Sequence, residues 1–92
     1  MPVVYRIEVK PAALRDLKKR PGEAIRRITA AIDALALEPR PSGVKKLQGK
    51  GRHVFYRLRL GDYRVIYQVH DDAVLVLVIR IADRKEIYRL EL

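Results

Sequence analysis

The sequence predicts an α+β domain: an N-terminal strand, a helical hairpin and then an antiparallel β-meander, with the helices packed on one face of the sheet. Three observations predict it. Apolar residues alternate near the N-terminus, recur at helical spacing in the next segment, and alternate again through the second half. Short Gly and Asp breaks divide that second half into hairpins. Helices followed by a run of strands belong on one side of one sheet.

The first strand is read over residues 3–9, where Val3, Tyr5, Ile7 and Val9 alternate with more polar positions. Pro11 suits the first turn of a helix, where a missing N–H costs nothing. Ala13, Leu14 and Leu17 give that short helix an apolar face. "RPG" at 20–22 separates it from a second helix running to about Leu37, with Ile25, Ile28, Ile32 and Leu35 at helical spacing. Pro39 ends that helix, because the residue before a proline resists the helical region. Residues 39–52, PRPSGVKKLQGKGR, read as a connector, either loop or the frayed start of a strand. Three strands follow at roughly 53–60, 63–70 and 73–81, joined by two-residue turns at Gly61-Asp62 and Asp71-Asp72. The ending EIYRLEL is a last short strand or a docked tail.

The chain has 92 residues, which fits a single domain over 1–92. Its 49% apolar content supports a modest core without staples. Cysteine is absent, so disulfides and thiolate metal sites are excluded, which suits a reducing cytoplasm. No signal-peptide h-region is evident, and the longest strongly apolar run, AVLVLVI at 73–79, is too short to span a bilayer, so no membrane association is expected. No Gly-rich phosphate loop, metal-ligand cluster or Ser/His/Asp set is present, and no metal or cofactor is expected.

Charge is more informative. Twenty Lys and Arg stand against 11 acids, a net charge of +9. From Arg40 to Arg64 there are eight basic residues and one acid, Asp62. A polyanionic partner, either nucleic acid or an acidic protein, accounts for that concentration better than solubility alone.

Alternation along the strands places Arg57 and Arg59 on one face. A two-residue turn at Gly61-Asp62 pairs Leu60 with Tyr63 and sets Arg64 opposite Arg59. The other face carries Val54, Tyr56, Leu58, Leu60, Tyr63, Val65, Tyr67 and Val69, with Val74, Val76 and Val78 from the next strand, and receives the helices. Like charges facing one another across strands cost about 0.2–1 kcal/mol. Three clustered guanidiniums are therefore a poor choice for stability and a good one for phosphate. Ile66, Leu75, Leu77, Ile79 and Ile81 fall on the same open face in this register, making it half basic and half apolar. An acidic amphipathic segment of another chain would suit both halves.

"KKLQGKG", "YRLRLGDYRVIYQV" and "IADRKEIYR" together resemble the RelE family of bacterial and archaeal toxins, within the RelE/ParE superfamily. The likeness covers nearly the whole chain. It implies a ribosome-dependent endoribonuclease, the toxin of a type II toxin–antitoxin system. Such a toxin cuts mRNA in the ribosomal A site and is blocked by a cognate RelB-like antitoxin. Operator DNA would be met only through the antitoxin complex. The resemblance puts Arg57, Arg59 and Arg64 at the basic active-site positions, Arg84 in the family's "G-[HK]-R" turn, and Tyr88 at its near-terminal tyrosine. The chain departs from the pattern in three ways: arginine replaces the frequent lysine at 57 and 59, Ala82 replaces Gly, and Asp83 replaces a basic residue.

Metal-free RNA cleavage needs a base for the 2′-OH, charge stabilisation of the phosphorane and a proton for the 5′-oxygen. Arg57, Arg59, Arg64 and Arg84 can hold and neutralise the phosphate. Arginine is a poor base, with a pKa above about 12. Tyr88 can act as base if cations lower its pKa from about 10, or it can stack on a nucleobase or orient the phosphate. His53 lies roughly 13 Å from Arg57 along an extended strand, and His70 at the far end of its own; both read as strand-end residues. Glu86 reads as a solvated charge or a partner for one arginine. Lys45, Lys46, Lys50 and Arg52 form a candidate RNA-binding loop. Two other functions fit the same chain: a ParE-like poison of DNA gyrase without ribonuclease activity, and a non-catalytic basic RNA- or ribosome-binding domain.

Overall fold

Gly61 sets the register of the sheet. Its φ of +57° lies in the left-handed region, and Asp62 after it does not, the pattern of a type II′ hairpin turn. In this computed structural model, which describes residues 3–49, 51 and 53–90, that turn pairs Leu60 with Tyr63 and Arg59 with Arg64. Strands β3 (Val54–Leu60) and β4 (Tyr63–His70) are thereby fixed.

The other elements assemble around this hairpin. They are β1 (Arg6–Val9), α1 (Pro11–Lys18), α2 (Gly22–Ala34), β2 (Lys45–Gln48) and β5 (Leu75–Asp83). They form one five-stranded sheet in the order β1-β5-β4-β3-β2. All pairings are antiparallel except β1 with β5, which is parallel. The architecture is the α+β arrangement that the residue pattern predicts, with a mixed sheet because the first strand returns beside the last.

One face of the sheet is the core. Ile28, Ile32 and Leu35 pack with Ala13 of α1 against Val65, Tyr67, Val76, Val78 and Ile81. Each large apolar side chain buried this way contributes about 1.5–3 kcal/mol. Tyr67 is fully buried, its hydroxyl donates to the Pro39 carbonyl at 2.7 Å, and burial pushes its pKa up to about 12.

Several boundaries differ from those the sequence predicts. The second helix stops at Ala34 rather than Leu37. Beyond it, the N–H groups of Leu35, Ala36 and Leu37 each reach back three residues to Ile32, Asp33 and Ala34, tightening the last turn. The connector contains a strand, β2, held by its pairing with β3. The last β-turn is not two residues long. Asp71–Ala73 form a 3-10 turn, Val74 is left-handed (φ 51°, ψ 49°), and the strand begins at Leu75. Val74 is therefore half-buried in a turn rather than part of the strand's core face. The ending docks as a 3-10 turn over Ile87–Arg89.

The register of β5 also changes midway. Tyr67 faces Val78 and Ile66 faces Arg80, so Ile79 has no opposite residue in β4. This bulge reverses the alternation beyond it. Ile81, expected on the open face, is instead fully buried in the helix-side core.

The pairing of β1 with β5 ends at Val9↔Val78. Beyond that point α1 takes over the edge. Asp16 accepts the Ile81 N–H at 3.0 Å and a bidentate pair from the Arg80 guanidinium at 2.8 and 3.2 Å. Burial alone would raise the Asp16 pKa, but Arg80 and the Ile81 amide outweigh it and hold the carboxyl below its usual range.

Candidate functional site

The face of the sheet away from the helices carries an open cavity of about 890 Å³. Arg57, Arg59 and Arg64 line one side, with Lys45 beside them from β2. The backbone explains the grouping. Arg59 faces Arg64 across β3 and β4, and Lys45 faces Arg57 across β2 and β3, so four cations share one patch. The segment after β5 supplies the other side through Arg84, Lys85, Ile87, Tyr88 and Arg89.

No carboxylate lines this cavity among the described residues. Asp62 and Asp83 line an adjoining pocket with Arg84 and Lys85, and Glu86 is paired with Arg20. The Arg57, Arg59 and Arg64 side of the cavity therefore has no carboxylate beside it among the described lining residues. Arg64 registers the crowding. Partial burial, then the charges of Arg59 and Arg57, push its pKa below the ordinary arginine value, though it stays protonated at neutral pH. Its Nη1 donates to the Gly61 and Tyr63 carbonyls at 2.7 and 2.9 Å, which fixes the guanidinium against the turn. Its Nε and Nη2 make no hydrogen bond to the described residues and are available to a ligand.

The segment carrying Arg84 and Tyr88 is held by its own local chemistry. The Arg84 N–H bonds the Asp62 carbonyl at 2.8 Å, which joins it to the β3–β4 turn. Asp83 Oδ1 accepts the N–H groups of Glu86 and Lys85 at 2.7 and 2.8 Å. Those bonds hold the Asp83 carboxyl below its usual range. Asp83, a departure from the family pattern, therefore shapes the turn and does not line the main cavity. Tyr88 is 86% exposed, with its ring free to meet a ligand.

The structure brings together Arg57, Arg59, Arg64, Arg84, Tyr88 and Lys45 of the sequence-predicted set. Lys46 is exposed and pairs with Tyr56, a helix-side position, so alternation turns it away from the cavity. Lys50 and Arg52 lie outside the described residues. His53 sits beside the Phe55 ring (centroids 6.4 Å apart) and His70 beside Gln68 at 3.0 Å; neither lines the cavity. Glu86 pairs with Arg20 on the helix side rather than with an arginine of the cluster. Lys85 and Arg89 escaped the sequence reading. Their only signal was proximity to Arg84 and Tyr88 in a short basic tail.

A family model described as "ParE toxin of type II toxin-antitoxin system, parDE" matches residues 7–88. The chain belongs to the RelE/ParE superfamily of type II toxins. Toxin RelE3 of Methanocaldococcus jannaschii is 34% identical over 79 residues, covering 82% of this chain and 85% of that protein. The RelE of the RelE–RelB complex from Pyrococcus horikoshii superposes with a TM-score of 0.78 at 34% identity, over 88% of this chain and 96% of that one. The isolated RelE toxin of E. coli superposes at 0.72 with 27% identity, over 92% of each chain. Within this superfamily the Lys46-Leu47-Gln48-Gly49 motif gains a physical reason. A Cβ on Gly49 would run into the Phe55 ring, and the Gly49 N–H bonds the His53 carbonyl at 2.9 Å.

Proposed function

We propose that this RelE/ParE toxin is a ribosome-dependent, metal-independent endoribonuclease that cleaves mRNA in the A site. The observation that carries the reading is the cationic cavity with no carboxylate in its described lining, where Arg57, Arg59 and Arg64 on the sheet face Arg84 and the exposed Tyr88 on the tail. The scissile phosphate sits among these guanidiniums. Tyr88 as its phenolate takes the 2′-OH proton, or as the neutral phenol orients the phosphate for in-line attack. The 2′-oxygen bonds to phosphorus, the bond to the 5′-oxygen breaks, and that oxygen takes a proton. The products are a 2′,3′-cyclic phosphate and a 5′-OH. The guanidiniums stabilise the charge that builds on the phosphorane. Lys45 contacts RNA beside Arg57, and Lys46, Lys50 and Arg52 extend the basic connector as further RNA contacts.

The working partners are the ribosome with its mRNA, in the cytoplasm, and a RelB-like antitoxin of the kind found with the Pyrococcus protein. Among the described residues no helix is long and apolar enough to cross a membrane. A second reading, poisoning of DNA gyrase, is favoured by the ParE description of the matched family.

Expression in bacteria with mapping of mRNA 5′ ends separates the two. Codon-phased cuts in translated messages, absent from Arg64→Ala and Tyr88→Phe, support the endoribonuclease. Gyrase-linked DNA breaks with intact mRNA support the other reading and refute this one.

A further inference from the structure

Arg20 lies in the turn between α1 and α2, on the helix side of the sheet, and lines no part of the cavity. Its side chain is only 14% exposed. The guanidinium sits over the Tyr63 ring, 5.4 Å from its centroid, and Nη2 reaches Glu86 Oε2 at 3.1 Å. Its Nε is buried with no partner among the described residues, an unfavourable place for a charged donor. A cation held there at that cost invites a role beyond its own comfort.

The role follows from what Glu86 belongs to. Tyr63 pairs with Asp83, the last residue of β5. Asp83 then accepts the amides of Lys85 and Glu86, and Glu86 accepts the Arg89 N–H through its carbonyl at 2.8 Å. Glu86 thus sits midway between Arg84, two residues before it, and Tyr88, two residues after. Among the described residues its carboxylate is the only side chain of 84–89 with an ion-pair or hydrogen-bond partner, and that partner is 66 residues away.

We propose that Arg20 is a positioning residue which, through Glu86, fixes Arg84 and Tyr88 over the arginine cluster from the opposite side of the sheet. The inference rests on the endoribonuclease reading for its activity arm but not for its structural one. Misplacing a reacting group by a fraction of its contact distance costs rate and leaves binding of a large partner almost unchanged. The signature of positioning is therefore a fall in kcat without a matching change in KM.

The test uses the whole chain with translating ribosomes and a defined message, alongside amide hydrogen exchange and thermal melting. The variants are Arg20→Gln, Glu86→Gln and the conservative Arg20→Lys. Loss of one ion pair should speed exchange across 84–89 about fivefold while the central strands are unchanged. It should lower kcat about tenfold with KM unchanged. Arg20→Lys, which keeps a cation over Tyr63 and beside Glu86, should retain most of both the protection and the kcat. Glu86 is about half exposed, so Glu86→Gln keeps the test decisive if Arg20→Gln does not fold. Unchanged exchange in the tail, equal acceleration throughout the sheet, or loosened exchange with undiminished kcat would each overturn the inference. A wild-type protein that cuts no message would sink the endoribonuclease reading instead, and the exchange measurement would still decide what Arg20 does to the tail.

Discussion

Arg59 and Arg64 face one another across β3 and β4, one residue pair from the Gly61-Asp62 turn. Two like charges in that relation destabilise the hairpin, by about 0.2–1 kcal/mol. Arg59→Thr should therefore melt at the same or a slightly higher temperature than the wild type. It should also lose most cleavage of translated mRNA. Thermal denaturation and 5′-end mapping on the same preparation check both halves. A variant that is less stable and still active would contradict the assignment.

Asp16 gives a pH-dependent prediction. Its carboxyl lies below its usual range when folded, so its contribution is fully present above its unfolded value near 3.8 and is lost as pH falls through the lower folded value. Asp16→Asn should cost about 1.5–3 kcal/mol at pH 7, the scale of hydrogen bonds to a charged group. The difference from wild type should shrink as pH drops below about 4. Urea denaturation between pH 3 and 7 measures this directly, and a gap that stays constant across the range would refute it.

Gly49→Ala should be destabilising by about 1–3 kcal/mol, because the new Cβ meets the Phe55 ring. A companion Phe55→Leu change should recover part of that loss. A neutral Gly49→Ala in denaturant titration would show that the ring has room to move.

Val74 is a β-branched residue in left-handed backbone at φ 51°. Val74→Asn should raise stability by about 0.5–1 kcal/mol, with relief of strain exceeding the loss of a half-buried side chain. The shift in denaturation midpoint reports the balance.

These sites also show what a linear reading can reach. Arg57, Arg59 and Arg64 were legible because a strand has period two and a Gly-Asp turn fixes who faces whom. Ile81 was not. A one-residue bulge at Ile79 reverses its face, and nothing local in VLVIRIAD marks where the extra residue falls. Glu86 reads as a solvated charge or a partner for one arginine, but which arginine was opaque, since Arg20 lies 66 residues away and the contact exists only once the tail has docked. Asp16, which holds Arg80 and the Ile81 amide, carries no distinguishing signal within its short amphipathic helix.

The Asp16 arrangement bears on self-association. Beyond Val78 the outer edge of β5 has no neighbouring strand among the described residues, and a carboxylate on a helix occupies the Ile81 amide instead. A bare edge there would be a template on which another chain can add a strand, and α1 with its carboxylate keeps it closed. Asp16→Ala frees the Ile81 amide but leaves α1 in place, so oligomers through this edge should form only where α1 also lifts away.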